Sequence, residues 1–190
     1  MIQASMYFEK SLPTGGSVIP VGINKGVMFM GLVKGEGFYD LTFQNKEGQT
    51  IHKRLFNPDG SRPKEGESPA EAIERQTGNN IKHVVHLLRV IYGDDAISKI
   101  EAPTYEDFMK KTITLTNPKK GFLVNLKVTL DRTNKYSDLG FFPSSYMEAF
   151  VEGQESQLRF SKKEQEALDS VAGVSKTDDA IAPNGGDLPF

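Results

Sequence analysis

Between residues 26 and 56 apolar and polar positions alternate with a period of two, whereas from about 68 to 115 the apolar positions recur every three or four residues. The first stretch, GVMFMGLVKGEGFYDLTFQNKEGQTIHKRLFNP, is broken by Gly-containing turns at Lys34–Gly37 and Asn45–Gly48, and predicts three strands in a meander. The second strand sets Tyr39, Leu41 and Phe43 against Phe38, Asp40 and Thr42; the third sets Ile51, Lys53 and Leu55 against His52, Arg54 and Phe56. A small curved sheet with one polar side follows. The segment NPDGSRPKEGE, residues 57–67, combines turn formers with charge and predicts an exposed loop.

The second stretch opens on Ser68, Pro69 and Glu71, an N-cap, a first-turn proline and a capping-box acid, and predicts a short helix closed at Gly78. A further helix places Ile81, Val84, Val85, Leu88 and Ile91 on one face and ends at Gly93. Thr104 with Asp107 caps a third helix through about Lys111; the β-branched run Thr112–Thr116 fits either its continuation or a hairpin strand, and helix is favoured. The clearest strand of the chain then places Phe122, Val124, Leu126, Val128 and Leu130 on an apolar face and Leu123, Asn125, Lys127 and Thr129 on the other. A polar turn, 131–138, leads to a closing segment with Phe141, Phe142, Tyr146 and Phe150 around Pro143. The folded body is expected to end near Gly153. Ser161 and Glu164 predict a short helix through about Val171, and residues 173–186, rich in Ser, Asp, Ala and Gly, are expected to be disordered.

Composition narrows the class. The 190 residues suit one domain plus an appendage, and zero cysteines exclude disulfides, thiolate metal sites and cysteine nucleophiles. No apolar run approaches the roughly 20 residues of a membrane span. MIQASMYFEK has neither the basic nor the apolar region of a signal peptide, so a soluble cytoplasmic protein is expected. Reactive constellations are sparse. His83 and His86 read as surface histidines of an amphipathic helix rather than metal ligands, Gly15, Gly16, Gly22 and Gly26 form no phosphate-binding GxxxxGK pattern, and Asp94 and Asp95 read as a turn and cap. No cofactor and no catalytic activity are expected.

The net charge of −2 conceals a strong asymmetry. Residues 108–137 carry +6, from Lys110, Lys111, Lys119, Lys120, Lys127, Arg132 and Lys135 against Asp131, while residues 166–190 carry −4. A basic block of this kind fits a polyanionic partner. Three strands, a helical connection and two further strands is the order of the OB-fold, a small Greek-key barrel that binds single strands across one face. Such binding needs aromatic rings for bases and cations for phosphates. Lys53, Arg54 and Phe56 on one strand, Phe38 on its neighbour, Lys119, Lys120 and Lys127 in and before the strongest strand, and Arg132, Lys135 and Tyr136 in the following turn are the candidates. The expected architecture is mainly β: a five-stranded OB-fold barrel over 1–153, with a helical insertion at about 68–115 between strands 3 and 4. A C-terminal helix and flexible acidic tail occupy 154–190.

The chain ends in Asp187, Leu188, Pro189 and Phe190, behind Asp178 and Asp179. This tail resembles the acidic tip of bacterial single-stranded DNA-binding proteins. A terminal Phe suits a small apolar pocket, its carboxylate a basic side chain, and the upstream acids steer the encounter. The body, with its insertion of about sixty residues, looks more like the divergent OB-fold single-strand binders of bacteriophages. The resemblance implies a non-catalytic protein that coats single-stranded DNA in replication, recombination and repair. It also implies a tip that recruits partner enzymes and folds back over the DNA groove. Stacking and phosphate contacts do not separate DNA from RNA. Two other readings compete: a phage adaptor that docks through insertion and tail, and a magnesium-dependent nucleic-acid enzyme using Asp94, Asp95 and Asp107.

Overall fold

The computed structural model of the protein describes residues 18–97, 100–131, 136–139 and 145–177. Strands β1 (Gly22–Lys34), β2 (Phe38–Gln44) and β3 (Thr50–Phe56) form the expected meander, with the two hairpin turns where Gly-containing segments interrupt the alternation. The helices α1 (Pro69–Tyr92), α2 (Asp94–Ile97) and α3 (Tyr105–Thr116) and a 3₁₀ turn at Asn117–Lys119 then lead into β4 (Leu123–Leu130). β5 (Ser137–Leu139), β6 (Met147–Ala149) and α4 (Lys162–Thr177) complete the described chain.

The strands make one six-stranded antiparallel sheet of order β3-β2-β1-β4-β5, with β6 pairing beside β5 along the same edge of β4. Its inner face carries the core: Val27, Phe29 and Leu32 from β1, Tyr39, Leu41 and Phe43 from β2, and Ile51 and Leu55 from β3. Val84, Leu87 and Leu88 of α1 and Met109 of α3 cover it. The β-sheet core with helices inserted between the third and fourth strands is as expected; the closed five-stranded barrel is corrected to an open sheet. β3 and β5, its two ends, are joined by side chain instead of backbone ladder: Lys53 Nζ donates to Asp138 Oδ1 at 2.8 Å, to Oδ2 at 3.1 Å and to the Leu139 carbonyl at 3.4 Å. With only three residues, β5 offers little edge on which a ladder could form.

The helical region departs from expectation at Gly78, which does not end a helix. The Ser68 hydroxyl accepts from the Glu71 N–H and the Glu71 carboxylate accepts from the Ser68 N–H, as the capping box requires, but one helix then runs 24 residues to Tyr92. Its weak centre is tied down by its own side chains. Gln76 Oε1 accepts from Asp59 N–H at 3.0 Å, and Asn80 Nδ2 donates to the Phe56 carbonyl at 2.8 Å and the Tyr105 hydroxyl at 3.0 Å. Tertiary contacts of this kind override low intrinsic propensity. The ambiguous run 112–116 is helical, and the hydroxyls of Thr112 and Thr116 donate to carbonyls four residues back, which satisfies them inside the core.

A second departure concerns β4. Val124, Leu126 and Val128 are buried as expected, but so are Asn125, Lys127 and Thr129 on the supposedly polar face. The segment 156–164 lies across that face, with Ser156 and Leu158 buried. Helix α4 extends past the expected end near Val171 to Thr177, so residues 173–177 of the expected disordered stretch are helical; residues 178–190 lie outside the described chain, as do Phe141, Phe142 and Pro143.

Candidate nucleic-acid interface

The β2–β3 ladder builds the site. Its register pairs Phe38 with Phe56, Asp40 with Arg54 and Thr42 with His52, and directly opposed residues of an antiparallel pair share a face. Because Tyr39, Leu41, Ile51 and Leu55 take the inner face, the alternate residues must point outward. The Phe38 and Phe56 rings lie 6.1 Å apart at 58°, and the Arg54 guanidinium sits 5.0 Å from the Phe38 ring centroid. Phe56 is 58% exposed. An apolar ring of that size in water, flanked by an arginine that makes no ion pair among the described residues, is a ready stacking surface beside a phosphate contact. The acid on this face, Asp40, is engaged through Oδ2 with His52 Nδ1 at 3.0 Å, the same nitrogen lying 3.0 Å from the Thr42 hydroxyl.

A further cation reaches the face from the 3₁₀ turn. The stem of Lys120 crosses Gly31, where any Cβ would meet its Cε at 2.8 Å, and Gly31 is the β1 partner of Thr42. Thr42 stands four residues from Phe38, roughly 13 Å along an extended strand. Lys120 and the Phe38–Phe56 pair thus mark two ends of one outward strip. At the aromatic end the strip opens into a cleft of about 270 Å³ between β3, the loop after it and α1; Arg54, Phe56, Arg62, Arg75 and Asn79 are among its lining residues. Arg75 is engaged: it donates to both Glu67 oxygens at 2.8 and 2.9 Å, and this hydrogen bonding holds the Glu67 carboxyl down to about 2.

The structure therefore brings together Phe38, Arg54 and Phe56, with Lys120 along the same face, and separates the other candidates. Lys53 shares the apolar face of β3 and clamps Asp138. Lys119 lies over the Tyr92 ring, its Nζ 5.2 Å from the centroid. Lys127 is corrected from an exposed phosphate contact to an interior group: at 0% exposure its amine donates to Glu164 at 3.0 Å and to the Arg159 carbonyl at 3.1 Å. Its burial was invisible in the local alternation because the covering segment comes thirty residues later. Tyr136 is 69% exposed in the turn before β5. Arg132, Lys135 and the tip Asp187, Leu188, Pro189 and Phe190 lie outside the described residues. Of the remaining cations of the basic block, Lys110 pairs with Glu106 and Lys111 donates to the Glu101 carbonyl. Sequence reasoning missed Arg62, Gln76, Asn79 and Asn80; the charged loop at 57–67 was the available signal for Arg62, and none marked the helix residues.

Of the acids of the competing enzymatic reading, Asp107 accepts from the Thr104 hydroxyl and Asp94 pairs with Arg89. Among the described residues no group of three or more His, Asp or Glu is placed to hold a metal ion, and no helix is long and apolar enough to cross a membrane. Fold and face together define an open antiparallel sheet with an exposed aromatic and cationic strip. No family model, curated protein or solved structure matches the chain.

Proposed function

We propose that the protein is a non-catalytic single-stranded DNA-binding protein of the bacteriophage type, acting in the cytoplasm, the host's where the chain is phage-encoded. The strand lies along the outer strip, its bases on Phe38 and Phe56 and its phosphates near Arg54 and Lys120. The acidic tip, Asp187 to Phe190, serves replication and recombination enzymes. The observation that carries this reading is the exposed Phe56 ring packed against the half-buried Phe38, with Arg54 over the Phe38 ring. Base–aromatic stacking contributes about 1–3 kcal/mol per base and tolerates any sequence. Phosphate neutralisation releases counterions, so affinity falls as salt rises. Titration of labelled oligo-dT at two salt concentrations tests it: binding that weakens as salt rises is expected. Absence of binding favours the adaptor reading, and salt-insensitive binding overturns the phosphate contacts.

A further inference from the structure

The cleft beside the strip is a preformed polar site whose walls are fixed by groups that leave a specific set of side chains uncommitted. On one wall the loop after β3 is pinned to α1: Gln76 Oε1 accepts from both Asp59 and Gly60 N–H groups, at 3.0 and 3.3 Å. Gly60 takes φ of 72°, and a Cβ there would stand 2.8 Å from the Pro69 carbonyl oxygen, so the loop reaches the helix only through glycine. Asp59, the carboxylate on the lining, accepts from the Ser61 N–H at 2.9 Å and its hydroxyl at 2.7 Å. Asn80 is engaged with Phe56 and Tyr105, and Arg75 with Glu67 and the Arg62 carbonyl. What remains is the exposed ring of Phe56, the guanidinium groups of Arg54 and Arg62, and the amides of Asn57 and Asn79, none of which makes a side-chain hydrogen bond or ion pair among the described residues.

We propose that this cleft is a single-nucleotide subsite, in which one unstacked base lies against Phe56 with its edge on the Asn79 amide while Arg54 and Arg62 hold its phosphate. The proposal rests on the strand-binding reading above and adds to it a place where a base is read as well as stacked. The chemistry of the set supports it. A side-chain amide offers one acceptor and two donors to a base edge, and arginine offers a fork that matches phosphate oxygens. At about 270 Å³ the cleft falls just below the roughly 300–1,000 Å³ of drug-sized ligand pockets, a size for one nucleotide and not for a duplex. Walls held before binding reduce the ordering that binding must impose. The strand-coating surface therefore carries a modest base preference at one position in an otherwise tolerant footprint.

The test is fluorescence anisotropy of the full chain with labelled oligo-dT, oligo-dC and oligo-dA over a range of salt, for the wild type, Asn79→Ala, Arg62→Ala and Lys110→Ala. The wild type is expected to prefer one homopolymer. Asn79→Ala, which removes no charge, is expected to lose about tenfold for that homopolymer, levelling the three while leaving the salt slope unchanged. Arg62→Ala is expected to weaken all three together and to lower the slope of log affinity against log salt by about one. Lys110→Ala, outside the cleft, leaves preference and slope as in the wild type. Thermal melts confirm that each variant folds, since neither Asn79 nor Arg62 holds a wall in place. Strand binding unchanged in both cleft variants, or equal wild-type affinity for the three homopolymers, overturns the subsite and leaves the strand-binding reading intact. A wild type that binds none of them overturns that reading and the subsite with it.

Discussion

Phe56 keeps more than half of its surface in water while Leu55, its neighbour in sequence, is buried, and that contrast separates its contribution to folding from its contribution to binding. Phe56→Ala removes one cross-strand ring contact and is expected to cost under about 1 kcal/mol of stability in urea unfolding. The same change is expected to lower oligo-dT affinity about tenfold, because a stacked base is lost; an unchanged titration would remove Phe56 from the interface. His83 shows the opposite situation. Its ring packs 5.5 Å from that of Tyr146, and burial, reinforced by Lys53 and His86, pushes its pKa down to about 3 from the ordinary 6.5. Between those values the unfolded chain binds a proton that the folded chain refuses, so stability drops as pH falls from about 6.5 towards 3, by up to about 1.4 kcal/mol per pH unit. His86, also lowered by burial, acts with the same sign. Urea midpoints across this range are expected to fall less steeply in His83→Leu than in the wild type, and parallel curves would exclude His83 as the source. At this scale Phe38, Arg54 and Phe56 were legible because a period of two decides which face a strand residue takes. Lys127 was not, because the same alternation says nothing about what later covers the outer face. The expectation of surface histidines fails at His83 for a related reason: it stands one position before Val84 on the buried stripe of α1.

Elements were legible where a local signal is also a local energy. The Ser68–Glu71 and Thr104–Asp107 caps satisfy otherwise orphaned N–H groups within one turn, and both helices begin where those residues stand. Gly78 misled because a weak helix former reads as a stop unless the contacts that carry the helix through it are known. In α1 those contacts are non-local: Asn80 to β3 and Gln76 to the loop after it. The barrel was misjudged for the same reason, since closure depends on whether β3 and β5 meet along a backbone ladder, which strand order alone does not decide. Gly78 yields a direct prediction. A Cβ built there meets nothing within 4 Å, so Gly78→Ala adds helix propensity without a clash. It is expected to raise stability by about 0.5–1 kcal/mol, seen as a higher unfolding midpoint with DNA affinity unchanged. A destabilised variant would mean that the helix is interrupted at Gly78, as the sequence first suggested.

At the scale of the whole molecule the near-neutral charge resolves into parts that do different work. The +6 block of residues 108–137 does not form one surface among the described residues: Lys127 is buried against Glu164, Lys110 pairs with Glu106, and Lys120 alone is placed on the outer strip. The cations that line the cleft beside the exposed Phe56 without an ion pair among the described residues are Arg54 and Arg62, both outside that block. Fewer uncommitted cations on the strip imply fewer displaced counterions, and hence a shallower salt dependence than the raw count of lysines suggests. On the proposed reading, the −4 of residues 166–190 would compete for those same few groups. Glu164 both caps α4, accepting from the Ser161 N–H at 2.6 Å, and holds the buried Lys127, so the start of that helix is tied to β4. Removal of Asp187 to Phe190 is therefore expected to leave oligo-dT affinity unchanged or raised, most visibly at low salt where screening is weak, and to abolish capture of replication enzymes in a pull-down. A truncated chain that lost DNA affinity would place the tip within the strand-binding surface instead of in competition with it.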